Sequence, residues 1–152
     1  MKKSQIDLSL YLVTEESIAL EKLTKIIAES VSGGVSIVQL REKKNSSLSF
    51  YKKASALKQL LNELSIPLII NDRVDIALAV AADGIHIGQD DLPLPVVKQM
   101  VPEDMIVGVS VSTLEEALEA ERNGADYIGV GSVFPTKTKQ DATLMALEDL
   151  GE

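Results

Sequence analysis

A chain of 152 residues is long enough to bury the core of one domain, and its 45% hydrophobic and 25% charged content is that of an ordinary globular protein. The formal net charge of −8, the 3% aromatic content and the lack of tryptophan argue against a nucleic-acid partner, which needs basic patches and stacking platforms. With no cysteine, disulfides, thiolate metal sites and cysteine nucleophiles are excluded.

The elements follow in alternation. The start, MKKSQIDLSLYLV, has only a short apolar stretch broken by Asp7, so it reads as leading into a first strand at Leu8–Val13 and not as a signal peptide. Leu20, Leu23, Ile26 and Ile27 predict a helix over Ser17–Val31. Val35–Leu40 is rich in β-branched residues and reads as a strand. Leu57, Leu60, Leu61 and Leu64 share one face of a predicted helix over Leu48–Leu64. Then come a short buried strand at Leu68–Ile70, a short helix at Val74–Ala81, a strand at Gly84–Ile87 and a helix at Leu94–Met100 opened by Pro93. A strand at Met105–Val109 precedes a helix that Thr113 caps, with Glu116 completing a capping box, and that runs to Arg122. Asp126–Val130 is the sixth strand.

Three segments, SGGVSIVQLR, AADGIHIGQD and RNGADYIGVG, share a phrase in which a glycine near a helix end leads into a β-branched run. No linker or low-complexity stretch divides the chain, and no run of 18 apolar residues suits a membrane span. A cytoplasmic location is the default expectation. Successive βαβ units with right-handed crossovers imply a parallel sheet. That leaves an open doubly wound sheet or a barrel with missing units. No GxGxxG or Walker A sequence favours the first.

Polar residues collect after the strands. Gln39, Arg41 and Lys43 alternate, so an extended chain places an amide, a guanidinium and an ammonium on one face, which suits an anion. A solvated strand end is the plainer reading. Asn71 and Asp72 end the third strand, and Asp90 and Asp91 follow the fourth; oxygen ligands from separate loops, with a diphosphate, suit Mg²⁺. They equally suit turns and caps, with Asp91 a candidate to cap the helix after Pro93. Ser110, after the fifth strand, is a phosphate donor or a turn residue, and no Ser-His-Asp set forms around it. The only histidine, His86, lies within a strand, where a satisfied core histidine is the commoner outcome. Thr136, Thr138 and Lys139 in PTKTK again suit phosphate, or a basic surface loop. Five strands ending in such groups favour a barrel, whose loops converge on one face.

QLREK, IND, DGIHIGQDD, GVS and PTKTK, in this order, resemble the thiamine phosphate synthase family from about Leu10 to Asp141. The resemblance implies an α/β fold of the (β/α)₈ TIM-barrel type, a single domain over residues 1–152 with about six βα units and the last two missing. It implies a transferase that joins hydroxymethylpyrimidine diphosphate to thiazole phosphate. In that reaction diphosphate leaves a methylene carbon, the aminopyrimidine ring delocalises the positive charge, and the thiazole nitrogen attacks. Gln39, Arg41, Lys43 and Asn71 match ligands of the pyrimidine diphosphate, and Asp72 and Asp91 match Mg²⁺ ligands. Ser110 matches a residue close to the reacting centre, Lys139 a lysine on the leaving diphosphate, and Thr136 and Thr138 ligands of the thiazole phosphate. Arg41, Ser110 and Lys139 are the expected catalytic groups.

Two departures stand out. Ser112 occupies the place of a histidine that is usual in the family and that looks catalytic in the related thiazole tautomerases, which weighs towards synthase. The tail, Asp141–Glu152, does not look like the family's continuation. A barrel lacking two strands exposes edges, so the chain is expected to be oligomeric if soluble alone. The other readings are a non-catalytic relative that binds phosphates or a partner subunit and, more distantly, a phosphate-binding barrel of another kind.

Overall fold

The computed structural model describes residues 6–134. Strands and helices alternate: β1 Tyr11–Val13, α1 Leu20–Ser32, β2 Ile37–Leu40, α2 Ser47–Glu63, β3 Leu68–Asn71, α3 Val74–Ala79, β4 Gly84–Ile87, α4 Leu94–Met100, β5 Ile106–Val111, α5 Leu114–Arg122 and β6 Tyr127–Val130. All strands are parallel and lie in chain order, β1-β2-β3-β4-β5-β6. In a flat sheet the outer two would lie about 24 Å apart, at about 4.8 Å per step. Instead the hydroxyls of Tyr11 and Tyr127, from β1 and β6, are 2.7 Å apart. The sheet is therefore curled, with its concave face enclosed, as half of a barrel is.

The two faces differ in chemistry because successive side chains alternate. On the convex face Val38, Leu40, Leu68, Ile70, Ile85, Ile87, Val107 and Val109 meet Leu23 and Ile27 of α1, Phe50, Leu57 and Leu61 of α2 and Val97 of α4. This is the main core. On the concave face Ile37, Ile69 and Ile106 form a small apolar layer with Tyr11 and Tyr127. Two residues further along the strands, on that same face, stand Gln39, Asn71 and His86, all buried, and Ser110 lies beyond Gly108. The concave face thus changes from apolar to polar towards the C-terminal strand ends.

Glycine makes room for this packing. A Cβ at Gly108 would run into the Tyr127 ring, and one at Gly84 would lie 2.5 Å from Ile69 Cδ1 and 2.7 Å from the Ile106 carbonyl oxygen.

The recurring phrase acquires a physical meaning. Asp83, before β4, accepts the Leu68 N–H of β3 (2.8 Å) and the Lys58 ammonium (2.6 Å). Asp126, before β6, accepts the Val107 N–H of β5 (2.8 Å) and the Lys98 ammonium (3.3 Å). Ser36, before β2, plays the related part at Leu10, with its hydroxyl 3.2 Å from both the backbone N and O. Each phrase ties the start of a strand to the one preceding it in the sheet.

Several expected boundaries move. The first helix begins at Leu20, not Ser17, because Glu15–Ile18 forms a turn in which Ser17 donates to the Glu15 carboxylate (2.7 Å). Strand β5 extends to Val111, so Ser110 lies inside it and not after it. Thr113 does cap α5, accepting the Glu116 N–H (3.2 Å), but Glu116 returns to the Ser112 N–H (2.6 Å), not to Thr113. Among the described residues no helix is long and apolar enough to cross a membrane.

Candidate functional site

The polar groups of the concave face and of the loops beyond it form two connected sets. The first is a charged cluster. Lys43, just past β2, makes an ion pair with Asp72, just past β3. Asp72 adopts a left-handed conformation (φ 62°) and donates its N–H to the His86 carbonyl (2.8 Å), which turns the chain sharply at the strand end. Asp91, in the loop after β4, accepts the Gly88 N–H (2.7 Å). It closes that turn and does not cap the next helix, where Pro93 is the N-cap without a side-chain bond. Burial pushes the Asp91 carboxyl above its ordinary range. The Gly88 N–H and the Lys43 ammonium oppose the shift, while the adjacent Asp72 carboxylate adds to it. Lys43, Asp72 and Asp91 therefore share one small volume.

The loop carrying Lys43 is held from below. Glu16, between β1 and α1, accepts the backbone N–H groups of Lys43 (3.1 Å), Lys44 (2.8 Å) and Asn45 (2.8 Å). Burial pushes the Glu16 carboxyl upward, but these three donors and the Lys44 charge outweigh it and hold the group below its usual range. Glu42 points the other way, into the buried layer under α2, where it meets the Lys53 ammonium at 2.6 Å. Alternation therefore separates Arg41 and Lys43 from the acid between them.

Arg41 is half-buried. Its N–H donates to Thr14 Oγ1 (3.1 Å), while its guanidinium has no hydrogen bond or ion pair among the described residues. Asn71 is buried and its Nδ2 has no hydrogen-bond partner among the described residues. A buried amide left without an acceptor carries a desolvation cost that a ligand oxygen would remove.

The second set is a hydrogen-bonded chain across the concave face. Gln39 Nε2 donates to the Tyr11 hydroxyl (2.8 Å), which lies 2.7 Å from the Tyr127 hydroxyl. Tyr127 lies 3.0 Å from His86 Nδ1, and His86 Nε2 lies 2.8 Å from Ser110 Oγ. Burial pushes the Tyr11 phenol up to about 12, against its bonds to Tyr127 and Gln39, and pushes Tyr127 strongly upward too. Both tyrosines are neutral hydrogen-bonding groups at ordinary pH. His86 is satisfied, as expected of a strand histidine, but its partners line the enclosed face and not the main core.

Of the residues singled out from the sequence, Lys43, Asp72 and Asp91 come together, and Gln39 and Ser110 are joined through His86 and the tyrosines. Thr136, Thr138 and Lys139 lie outside the described residues. Tyr11, Tyr127, Thr14 and Glu16 were not anticipated. The available signal was position: Tyr11 and Tyr127 each share the concave face of a short strand.

Among the described residues no cluster of three or more acids, histidines or cysteines could hold a metal alone. Mg²⁺ does not require one, since it is commonly bound by one or two carboxylates together with substrate phosphates and water. Two carboxylates brought close against their mutual repulsion, beside one ammonium, fit that pattern.

Comparison with known proteins identifies the family. The family model described as thiamine monophosphate synthase matches residues 10–152, so the match includes the tail from Asp141, which the sequence motifs alone had left outside the family. The thiamine-phosphate synthase of Methanobrevibacter smithii is 53% identical over 149 residues, 98% of this chain and 71% of the relative. That of Clostridium tetani is 52% identical over 153 residues, 100% of this chain and 73% of the relative. The solved structure of thiamine phosphate pyrophosphorylase from Pyrococcus furiosus superposes with a TM-score of 0.81 at 41% identity, covering 94% of this chain and 67% of that one. With its curled parallel sheet and its motifs in order, the chain belongs to the thiamine monophosphate synthase family.

Proposed function

We propose that this chain is a thiamine phosphate synthase, a transferase that joins hydroxymethylpyrimidine diphosphate to thiazole phosphate and releases diphosphate. The observation that carries the reading is the convergence of Lys43, Asp72 and Asp91, from three successive loops, at the C-terminal end of a curled parallel sheet. Relatives named thiamine-phosphate synthase at about half identity support it.

In this reading Asp72 and Asp91 hold Mg²⁺, which supplies positive charge against the departing diphosphate. Arg41 and Lys43 face the same anion, and Lys139 joins them from beyond the sixth strand. Asn71 offers its unpartnered Nδ2 to the pyrimidine diphosphate, and Gln39 and Ser110 line the enclosed side of the pocket. Thr136 and Thr138 take the thiazole phosphate. No side chain need attack carbon: the protein neutralises the leaving group and aligns two rings. Ser112 is exposed and gives its N–H to Glu116, so no imidazole is present there for tautomerase chemistry.

The reading also takes the chain as six of the eight βα units of a full barrel, which the greater length of the matched relatives supports. Among the described residues β1 and β6 each have one hydrogen-bonded neighbour, with Val13 and Ile128 exposed on them. Such edges favour pairing with a second copy. Light scattering is expected to show an oligomer, and a cooperatively folded monomer removes that part.

The test of activity is thiamine phosphate formation from the two substrates with Mg²⁺. Turnover that is lost in Arg41→Ala supports the synthase. Binding of diphosphate with Mg²⁺ but no turnover leaves a non-catalytic relative, and neither activity nor binding in a folded sample ends the proposal.

A further inference from the structure

We propose that Gln39, Tyr11, Tyr127 and His86 form a one-way hydrogen-bond chain that makes the Ser110 hydroxyl a donor to the bound anion. The direction of the chain follows from the number of protons each group carries. An amide nitrogen only donates, and a phenol has one proton to give. Gln39 Nε2 donates to the Tyr11 oxygen at 2.8 Å, so the Tyr11 proton is directed to the Tyr127 oxygen at 2.7 Å. Tyr127, already accepting, sends its own proton to His86 Nδ1 at 3.0 Å. An imidazole nitrogen that accepts carries no proton, so the ring is neutral and its proton sits on Nε2. Nε2 then donates to Ser110 Oγ at 2.8 Å. With that lone pair filled from the protein side, the Ser110 proton is left for whatever occupies the pocket.

The reverse direction has the opposite consequence. If the Gln39 carbonyl oxygen faced Tyr11, each proton would point back along the chain. His86 would carry its proton on Nδ1, and Ser110 would donate to Nε2 and present only lone pairs to an anion. One amide at the far end thus sets the sign of the serine's interaction with negative charge. Tyr11, Tyr127 and His86 act as positioning residues, since none need touch substrate for the effect.

The fold holds the members of the chain in place. Gln39 and His86 are buried, and Tyr127 is pressed over Gly108, which admits no Cβ beneath the ring. Gly129 leaves the space beside the His86 ring, where a Cβ would come within 3.0 Å of Cε1. Ring positions are therefore set by backbone contacts as well as by the hydrogen bonds.

The inference deepens the synthase reading in naming the anion as the diphosphate, but its first test does not depend on activity. His86 is the only histidine in the chain, so a long-range ¹H–¹⁵N correlation of this labelled chain reports its tautomer without assignment. The neutral Nε2–H form is expected near neutral pH. An Nδ1–H ring, or a doubly protonated one, overturns the proposal whether or not the protein is a synthase. Tyr127→Phe removes the donor to Nδ1 and should shift the ring towards the Nδ1–H form; an unchanged tautomer counts against the chain.

With turnover established, Ser110→Ala is expected to lower kcat about 100-fold, the scale of losing one donor to developing charge. Tyr127→Phe should lower kcat in the same direction with less effect on KM, and Tyr127→Phe with Ser110→Ala should be no worse than Ser110→Ala alone. Multiplicative losses would show that Tyr127 acts independently of Ser110, contrary to the proposal. Should Tyr127→Phe not fold, Gln39→Leu tests the same chain from its other end by the same tautomer measurement.

Discussion

The hydroxyls of Tyr11 and Tyr127 meet at 2.7 Å although 116 residues separate them and they belong to the first and last strands of the described sheet. Their contact spans the mouth of the curl. Because the Tyr127 ring lies directly over Gly108, curvature and the polar chain depend on the same missing side chain.

Gly108→Ala is therefore expected to be destabilising by about 1–3 kcal/mol or more, the cost of forcing atoms into a filled space. Tyr127→Leu shortens the side chain that would clash. The double variant should lose less stability than the two single changes summed, since both act on one contact. Urea denaturation midpoints at constant slope would check this; simple additivity would mean that the two positions are not coupled.

The Glu42–Lys53 pair makes a different prediction. Both side chains are nearly inaccessible and lie 2.6 Å apart, beneath the loop that presents Lys43. Lys53→Met leaves a buried carboxylate with the Asn45 amide as its remaining partner, and should cost about 3–5 kcal/mol. Adding Glu42→Leu removes the stranded charge and should restore most of the loss. Thermal unfolding of the three variants distinguishes this from a surface pair, for which both changes would be nearly silent.

The main outline of the fold was legible because apolar periodicity is strong on the convex face. Gly84–Ile87 and Leu94–Met100 match the structure at both ends, where Pro93 and the preceding glycine phrase mark the limits. Ends governed by a side-chain bond in a loop were less legible, as at Ser17, whose hydroxyl is engaged by Glu15 and not by the helix. For the site, the alternation read along 39, 41 and 43 meets the end of β2 at Leu40: Gln39 joins the tyrosines on the concave face, while Lys43, beyond the strand, pairs with Asp72. Spacing along one strand could not reveal the partners contributed by others. Tyr11 and Tyr127 read simply as strand aromatics, and Glu16 as part of a loop, until curling of the sheet and the folding of one loop against the next brought them to Gln39 and Lys43.

Glu16 carries a pH prediction. Its folded-state pKa lies below the ordinary glutamate value of 4.5. Its contribution to holding the 43–45 loop is thus fully present above that value and is lost as pH falls through the lower folded one. Hydrogen exchange at Lys44 and Asn45 should be slow at neutral pH and accelerate relative to the core as the acid limb is crossed. Glu16→Gln should accelerate it already at neutral pH. Equal protection in the variant would show that the loop is held by other contacts.

Asp91 gives the sharpest opposition between stability and function. Its carboxylate is disfavoured by burial and by the neighbouring Asp72 charge, while the Gly88 N–H and Lys43 only partly compensate. Asp91→Asn keeps an oxygen for the Gly88 N–H at 2.7 Å in the native protein and removes the like charge. Without Mg²⁺ the variant should unfold at a higher temperature than the native chain. With Mg²⁺ and diphosphate the order should reverse, because ligand that binds only the folded form stabilises it by mass action and, in the proposed reading, the variant lacks one of the two acidic ligands. Asp72→Asn should also lose the response to Mg²⁺. It breaks the Lys43 ion pair as well, so its gain in the metal-free state should be smaller or absent. Thermal melts with and without the cation, alongside calorimetric titration, check both halves. If Asp91→Asn retained the full Mg²⁺-dependent shift, the paired carboxylates would not be the metal's seat, and Lys43 and Arg41 would be left as the anion-binding groups of that pocket.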